Sequence, residues 1–153
     1  MVKILSNKYF LLLLRIVLGL IFIFAAIEKI AVPKSFSVSI ANYKLLPVEL
    51  INIPAIILPW IELTSGLLLL LGIAVKENSA ILTFLLIVFT IAVIISLFRG
   101  LNIDCGCFGT IYGEQIGLLK VCENILLIII GFILATWGSN LLALVSDTHP
   151  QKL

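Results

Sequence analysis

Tyr9-Phe-Leu-Leu-Leu-Leu-Arg15-Ile-Val-Leu-Gly19-Leu-Ile-Phe22-Ile-Phe-Ala-Ala26-Ile-Glu28-Lys29-Ile30 decides the fold. About 20 apolar residues in a helix cross a hydrocarbon core of about 30 Å, and this run is that long, with charge at Arg15, Glu28 and Lys29 alone. It is too long and too poor in small cleavage-site residues for a removable signal peptide, so it reads as a first transmembrane helix over 9–30. Arg15, Gly19, Phe22, Ala26 and Lys29 recur at steps of three and four and therefore share one face. A face that mixes two cations with small residues is expected to turn toward other helices.

The rest of the chain has the same character. Of 153 residues 62% are hydrophobic and 12% charged, far from the balance of a soluble domain. Such a chain holds about four crossings with short connections, and a single membrane domain over 1–153 is expected. The net charge of +2 suits anionic headgroups of a lipid bilayer. It forms no concentrated basic tract of the kind that binds nucleic acid, which is set aside as a partner.

Pro33 is expected to stop the first helix, and the more polar segment 34–52 to lie at the interface as a loop or short surface helix. A second crossing over 53–73 holds Pro54, Pro59 and, near its middle, Glu62. Glu62, Ser65, Gly66 and Leu69 fall on one stripe, where small residues admit a close helix neighbour. A carboxyl at that depth demands a polar or protein-lined surrounding. A polar turn over 74–78 leads to a third crossing over 79–98, with Thr83 and Thr90 on one side, and a fourth crossing is expected over 115–137. The fold class is thus all-α, an integral membrane four-helix bundle.

Between the third and fourth helices stands Arg99-Gly-Leu-Asn-Ile-Asp104-Cys105-Gly106-Cys107-Phe108-Gly109, a polar, glycine-punctuated interruption. Two cysteines one residue apart can bond only if the chain folds tightly back, which Gly106 permits. The small ring so formed is strained, and strained disulfides are the more readily reduced ones. Cys105 and Cys107 therefore read as a pair that cycles. Idle loop thiols are the plainer alternative, and two thiolates without further ligands fall short of a closed zinc site. Asp104 opposes formation of the thiolate and Arg99 favours it.

Four crossings put both termini and Lys76 on one side, and the Pro33 segment and the cysteine loop on the other. Counting inward at about 1.5 Å per residue, Glu28, Lys29, Glu62, Arg99, Lys120 and Glu123 fall in the half nearest the cysteines, and Arg15 falls in the opposite half. Facing inward, they form a charged lining below the thiols. Lys29, Arg99, Lys120 and Arg15 lie close enough to an interface to serve as snorkelling anchors instead. Glu62 does not, and Lys120 or Lys29 is its expected counter-charge. Gly117, Lys120 and Asn124 share a face of the fourth helix, whereas Cys122 points elsewhere and is expected to pack as a small apolar residue.

Together these stretches resemble the MauE family of small membrane proteins, within the broader DoxX-like group. The resemblance lies in Leu14-Arg15-Ile-Val-Leu-Gly19-Leu-Ile-Phe22, Glu28-Lys29-Ile, Asn42-Tyr43-Lys-Leu-Leu-Pro47, Leu58-Pro59-Trp60-Ile-Glu62-Leu, the run from Gly66 to Gly72, and above all Asp104-Cys-Gly-Cys-Phe-Gly109. It implies a four-helix bundle serving methylamine utilisation, or a related extracytoplasmic thiol process, alongside a thioredoxin-like partner. The DoxX side of the group implies a quinone as electron acceptor. Cys122 has no counterpart in the family pattern.

The candidate catalytic residues are accordingly Cys105, Cys107 and Glu62, supported by Arg99, Asp104, Lys120, Glu123 and Arg15. The expected activity is thiol–disulfide exchange with an extracytoplasmic partner. Basic residues tie between the two sides, so the positive-inside rule does not orient the chain. Because disulfides persist outside the cytoplasm, the loop is assigned to the extracytoplasmic face of the inner (cytoplasmic) membrane. A non-enzymatic assembly subunit and a small carrier with a path past Glu62 are the rival classes.

Overall fold

A computed structural model describes residues 7–100 and 118–138, and every described element is helical. Helix α1 spans Lys8–Ala31, α2 Pro33–Asn42, α3 Asn52–Leu71, α4 Val75–Phe98 and α5 Leu118–Trp137, with a 3₁₀ turn at Val48–Leu50 before α3. Four helices are long and apolar enough to cross a membrane: α1, α4, α5, and α3 extended back to Val48. The chain is a multi-pass membrane protein. Cys105, Cys107 and Asp104, the loop between the third and fourth crossings, and residues 115–117 lie outside the described residues.

Local chemistry explains where the helices start and stop. Asn7 caps α1 by accepting a hydrogen bond from the Tyr9 N–H at 3.1 Å. Pro33 ends the first crossing, yet it also begins α2, because its missing N–H is no loss in a first helical turn. The polar segment after Pro33 is thus a ten-residue helix with Phe36 and Ser39 buried. The crossing expected to reach residue 73 ends at Leu71, where Gly72 turns left-handed with φ 73°. Its N–H bonds to Leu69 O at 3.1 Å and the Ile73 N–H to Leu68 O at 2.9 Å, the paired bonds of a Schellman cap. Helix α4 begins at Val75, so Lys76 and Glu77, expected in a turn, belong to its first turn.

The helices pair as α1 on α3 and α4 on α5, and thinner contacts of α3 with α4 and α1 with α5 join the two pairs. Leu11, Leu18, Phe22, Leu69, Leu82, Leu86, Leu127 and Leu134 make up most of the apolar core between them. Large apolar side chains such as Leu13, Phe24, Ile56, Phe84 and Phe132 point outward. That is the pattern of helices solvated by lipid rather than water.

Three close approaches fix the register. Leu18, Thr83 and Gly131 meet in one layer, where a Cβ on Gly131 would collide with Thr83 Oγ1 and lie 3.8 Å from Leu18 Cδ2. One heptad away, Lys76 packs on Gly138, whose added Cβ would come within 3.1 Å of Lys76 Cγ and Cε. At the other end of the bundle, Arg99 Nη1 donates to the Tyr43 carbonyl at 3.3 Å. The bundle therefore has a Lys76 end and an Arg99 end.

Candidate functional site

Arg15, Gly19, Phe22, Ala26 and Lys29 are all buried, and so are Glu62, Ser65, Gly66 and Leu69. The two polar stripes face each other because α1 and α3 are neighbours. Gly19 and Gly66 bring the backbones together: a Cβ on Gly66 would sit 3.2 Å from Gly19 O, and one on Gly19 would sit 3.1 Å from Gly66 O. Close approach there carries the stripes into contact further toward the Arg99 end.

At that contact Lys29 Nζ donates to both carboxylate oxygens of Glu62, at 2.8 and 2.7 Å. The two side chains are 1% and 2% exposed, so the pair is removed from the outer surface of the bundle. Helix side chains lean toward their own N-termini, and the antiparallel run of α1 and α3 makes these two lean toward each other. Two aromatic rings flank the ammonium: the Phe36 centroid lies 5.1 Å away and that of Phe89 5.3 Å. A desolvated cation held over ring faces gains about 2 kcal/mol from the ring quadrupole. Glu62, Lys29, Phe36 and Phe89 thus draw α3, α1, α2 and α4 to one point. Lys29, not Lys120, is the counter-charge, and it is no surface anchor.

The other expected site residues are placed as follows. Lys120 donates to Glu123 Oε2 at 2.8 Å, a link within α5, with Glu123 half exposed. This i, i+3 bond ties Lys120, whose side chain is largely buried, to its own helix rather than to Glu62. Arg99 is exposed and holds the end of α2 through the Tyr43 carbonyl. Arg15 is buried in the half nearer the Lys76 end, away from the pair. Glu28 is partly buried next to Lys29, and its Oε2 has no hydrogen-bond partner among the described residues. Cys122, expected to pack, lies exposed on α5.

Tyr43, which ends α2, is buried, and burial pushes its phenol up to about 12. Spacing alone does not single out Phe36 or Phe89, and Tyr43 enters only through the family resemblance. What places them is the fold-back of α2 after Pro33, which has no signature in hydrophobic spacing. The groove along Ile21, Phe24, Ala25 and Glu28 has a volume of about 230 Å³ and opens sideways from α1.

The sequence of this bundle is similar to those of known proteins. The family model described as "Methylamine utilisation protein MauE" matches residues 7–138. The chain is 31% identical over 124 residues to the methylamine utilization protein MauE of Paracoccus denitrificans, covering 80% of this chain and 67% of that one. It is 32% identical over 115 residues to the namesake in Methylorubrum extorquens, covering 74% and 59%. With that of Methylophilus methylotrophus it shares 37% identity over 84 residues, covering 54% and 44%. The chain thus spans between 44% and 67% of the length of these relatives. No solved structure matches it. The matched region takes in every described helix, and the chain belongs to the MauE family.

Proposed function

We propose that this protein is a membrane component of a methylamine utilisation system, or of a related process outside the cytoplasm, and that it works by thiol–disulfide exchange at Cys105 and Cys107. In that exchange a thiolate of one protein attacks the disulfide of the other, a mixed disulfide forms, and the second thiol resolves it. Two electrons and two protons pass from a partner dithiol to the loop disulfide, or the reverse. A thioredoxin-like protein on the extracytoplasmic side has the chemistry of such a partner. The inner membrane, with the loop on its outer face, is the compartment that would keep the loop disulfide.

The observation that carries the reading is the Cys105-Gly-Cys107 spacing, which follows Arg99 and the end of α4 in the sequence; the buried Lys29–Glu62 pair lies in the half of the bundle nearer Arg99. Replacing Cys105 or Cys107 singly by Ala is expected to trap a mixed disulfide with an extracytoplasmic thioredoxin-like protein. Full activity in both single variants would instead favour an assembly subunit. That second reading draws on the way Lys29 and Glu62 hold α1, α2, α3 and α4 together.

A further inference from the structure

Asn124 is 0% exposed, and neither its Oδ1 nor its Nδ2 has a hydrogen-bond partner among the described residues. A buried amide with neither end satisfied is costly, and in native proteins such groups are met by ordered water. Its place in the bundle says what that water would touch. Leu18, Thr83 and Gly131 share a layer, and one heptad toward the Lys76 end the partnership of Lys76 with Gly138 repeats it. One heptad the other way puts Ala25, Thr90 and Asn124 together, because seven residues return a helix to nearly the same face. All three are buried, and Ala25 is the smallest of them. Thr90 donates its hydroxyl to the Leu86 carbonyl at 2.6 Å and keeps its oxygen lone pairs as acceptors.

The ion pair lies at the same depth. Lys29 Nζ is 5.3 Å from the ring centroid of Phe89, the residue next to Thr90. Toward the Lys76 end Leu18, Phe22, Leu69, Leu82, Leu86 and Leu127 pack into one apolar cluster, with Ser79 buried beyond it. Toward the Arg99 end stands Ser96, fully buried, with an Oγ that has no partner among the described residues.

We propose that Asn124 holds water in the layer of Ala25 and Thr90, and that this water joins the Lys29–Glu62 pair to the Arg99 end of the bundle while the leucine layers seal it from the Lys76 end. Asn124 is then a positioning residue. A proton leaving the Arg99 end would pass along water to the Glu62 carboxylate, with Lys29 remaining an ammonium. The charged groups that face Glu62 are Lys29 and, beside it, Glu28, both on α1; α2 and α4 contribute the rings of Phe36 and Phe89. The use of this route in thiol exchange rests on the function proposed above, but the hydration itself does not.

Solid-state NMR of the full chain in lipid bilayers, labelled at Asn and Lys nitrogen and at Leu methyl carbon, tests it by magnetisation transfer from water. Strong transfer is expected to Asn124 Nδ2 and Lys29 Nζ, and little to the methyl groups of Leu18, Leu82 and Leu127. In Asn124→Leu the Lys29 signal is expected to fall several-fold, whereas Asn124→Ser, which keeps a hydroxyl and the space, retains it. No transfer to Asn124 in the unaltered chain overturns the proposal, and so does a Lys29 signal unchanged in Asn124→Leu. Transfer to the leucine methyls as strong as to Asn124 overturns the one-sided seal. The same spectra from a chain with Cys105 and Cys107 both replaced by Ser are expected to be unchanged, which separates this result from the fate of the thiol chemistry.

Discussion

Gly19 on α1 and Gly66 on α3 present their backbones to each other with no room for a methyl group: a Cβ on either comes within 3.2 Å of the other's carbonyl oxygen. In a membrane, where lipid tails compete evenly for apolar surface, such close backbone approach is what lets packing hold helices together. The same approach brings Lys29 within reach of Glu62.

Gly66→Ala is therefore expected to destabilise the bundle. Overpacking costs about 1–3 kcal/mol, and the helix propensity gained by losing a glycine returns about 1 kcal/mol. A net loss of about 1 kcal/mol follows, measurable as lowered thermal stability in detergent or lipid. Gly19→Ala is expected to cost at least as much, since its added Cβ would meet Leu70 side-chain carbons at 2.9 Å and the Gly66 carbonyl oxygen at 3.1 Å.

Both stripes were legible from spacing alone, because charge in a membrane segment is so costly that it declares which face is inward. Which cation answers Glu62 was not legible. Depth put Lys29 and Lys120 equally near, and only the neighbour relations of the helices, α1 beside α3 and α5 beside α4, decide between them. Lys120 is also engaged by Glu123 on its own helix. Pro33 does end the first helix as expected, and of the loop and the short helix expected after it the structure has the helix, because the ring that ends one helix is equally suited to begin another. Asn124 could be put on a helix face from its spacing, but its isolation from partners depends on packing that no periodicity reveals.

Thr83 and Gly131 make a second contact that can be tested as a pair. A Cβ on Gly131 would collide with Thr83 Oγ1, the oxygen whose hydrogen is donated to the Ser79 carbonyl. Gly131→Ala should cost about 1–3 kcal/mol as an overpacked site. Thr83→Ala removes that oxygen and should recover most of the loss, leaving a Cβ neighbour at 3.3 Å. A double-mutant cycle is expected to show a coupling of about 1 kcal/mol or more; independent effects would mean that α4 and α5 do not meet at this level.

Tyr43 gives a pH dependence at the Arg99 end. Its phenol is pushed up to about 12 by burial, so the neutral form is the one that the fold favours. The stability this contributes is fully present below the ordinary tyrosine value of about 10 and is lost as pH rises through the folded value. Ultraviolet absorbance of tyrosinate is expected to show a late step near that pH, with loosening of the Arg99 contact to Tyr43 O alongside it. Tyr43→Phe should abolish the step and keep the helical content.

Lys29 and Glu62 separate structure from chemistry. Lys29→Met leaves a buried carboxylate without its cation, a change expected to cost about 3–5 kcal/mol, whereas replacing both partners by apolar residues of similar size is expected to be neutral or stabilising by about 1–4 kcal/mol. If the pair were only a clamp, the double variant Lys29→Met, Glu62→Leu would keep whatever thiol exchange the unaltered chain performs. With Glu62 carrying protons, both that double variant and Glu62→Gln are expected to fold and to exchange about 10²-fold more slowly, the low end of what a positioned acid–base group supplies. Glu62→Gln is the closest in shape and keeps one acceptor for Lys29, but it replaces the second acceptor by an NH2 and leaves the buried ammonium without its counter-charge, so helical content is measured beside the exchange rate. An exchange rate in Glu62→Gln equal to that of the unaltered protein would leave Lys29 and Glu62 as the clamp that joins α1 to α3.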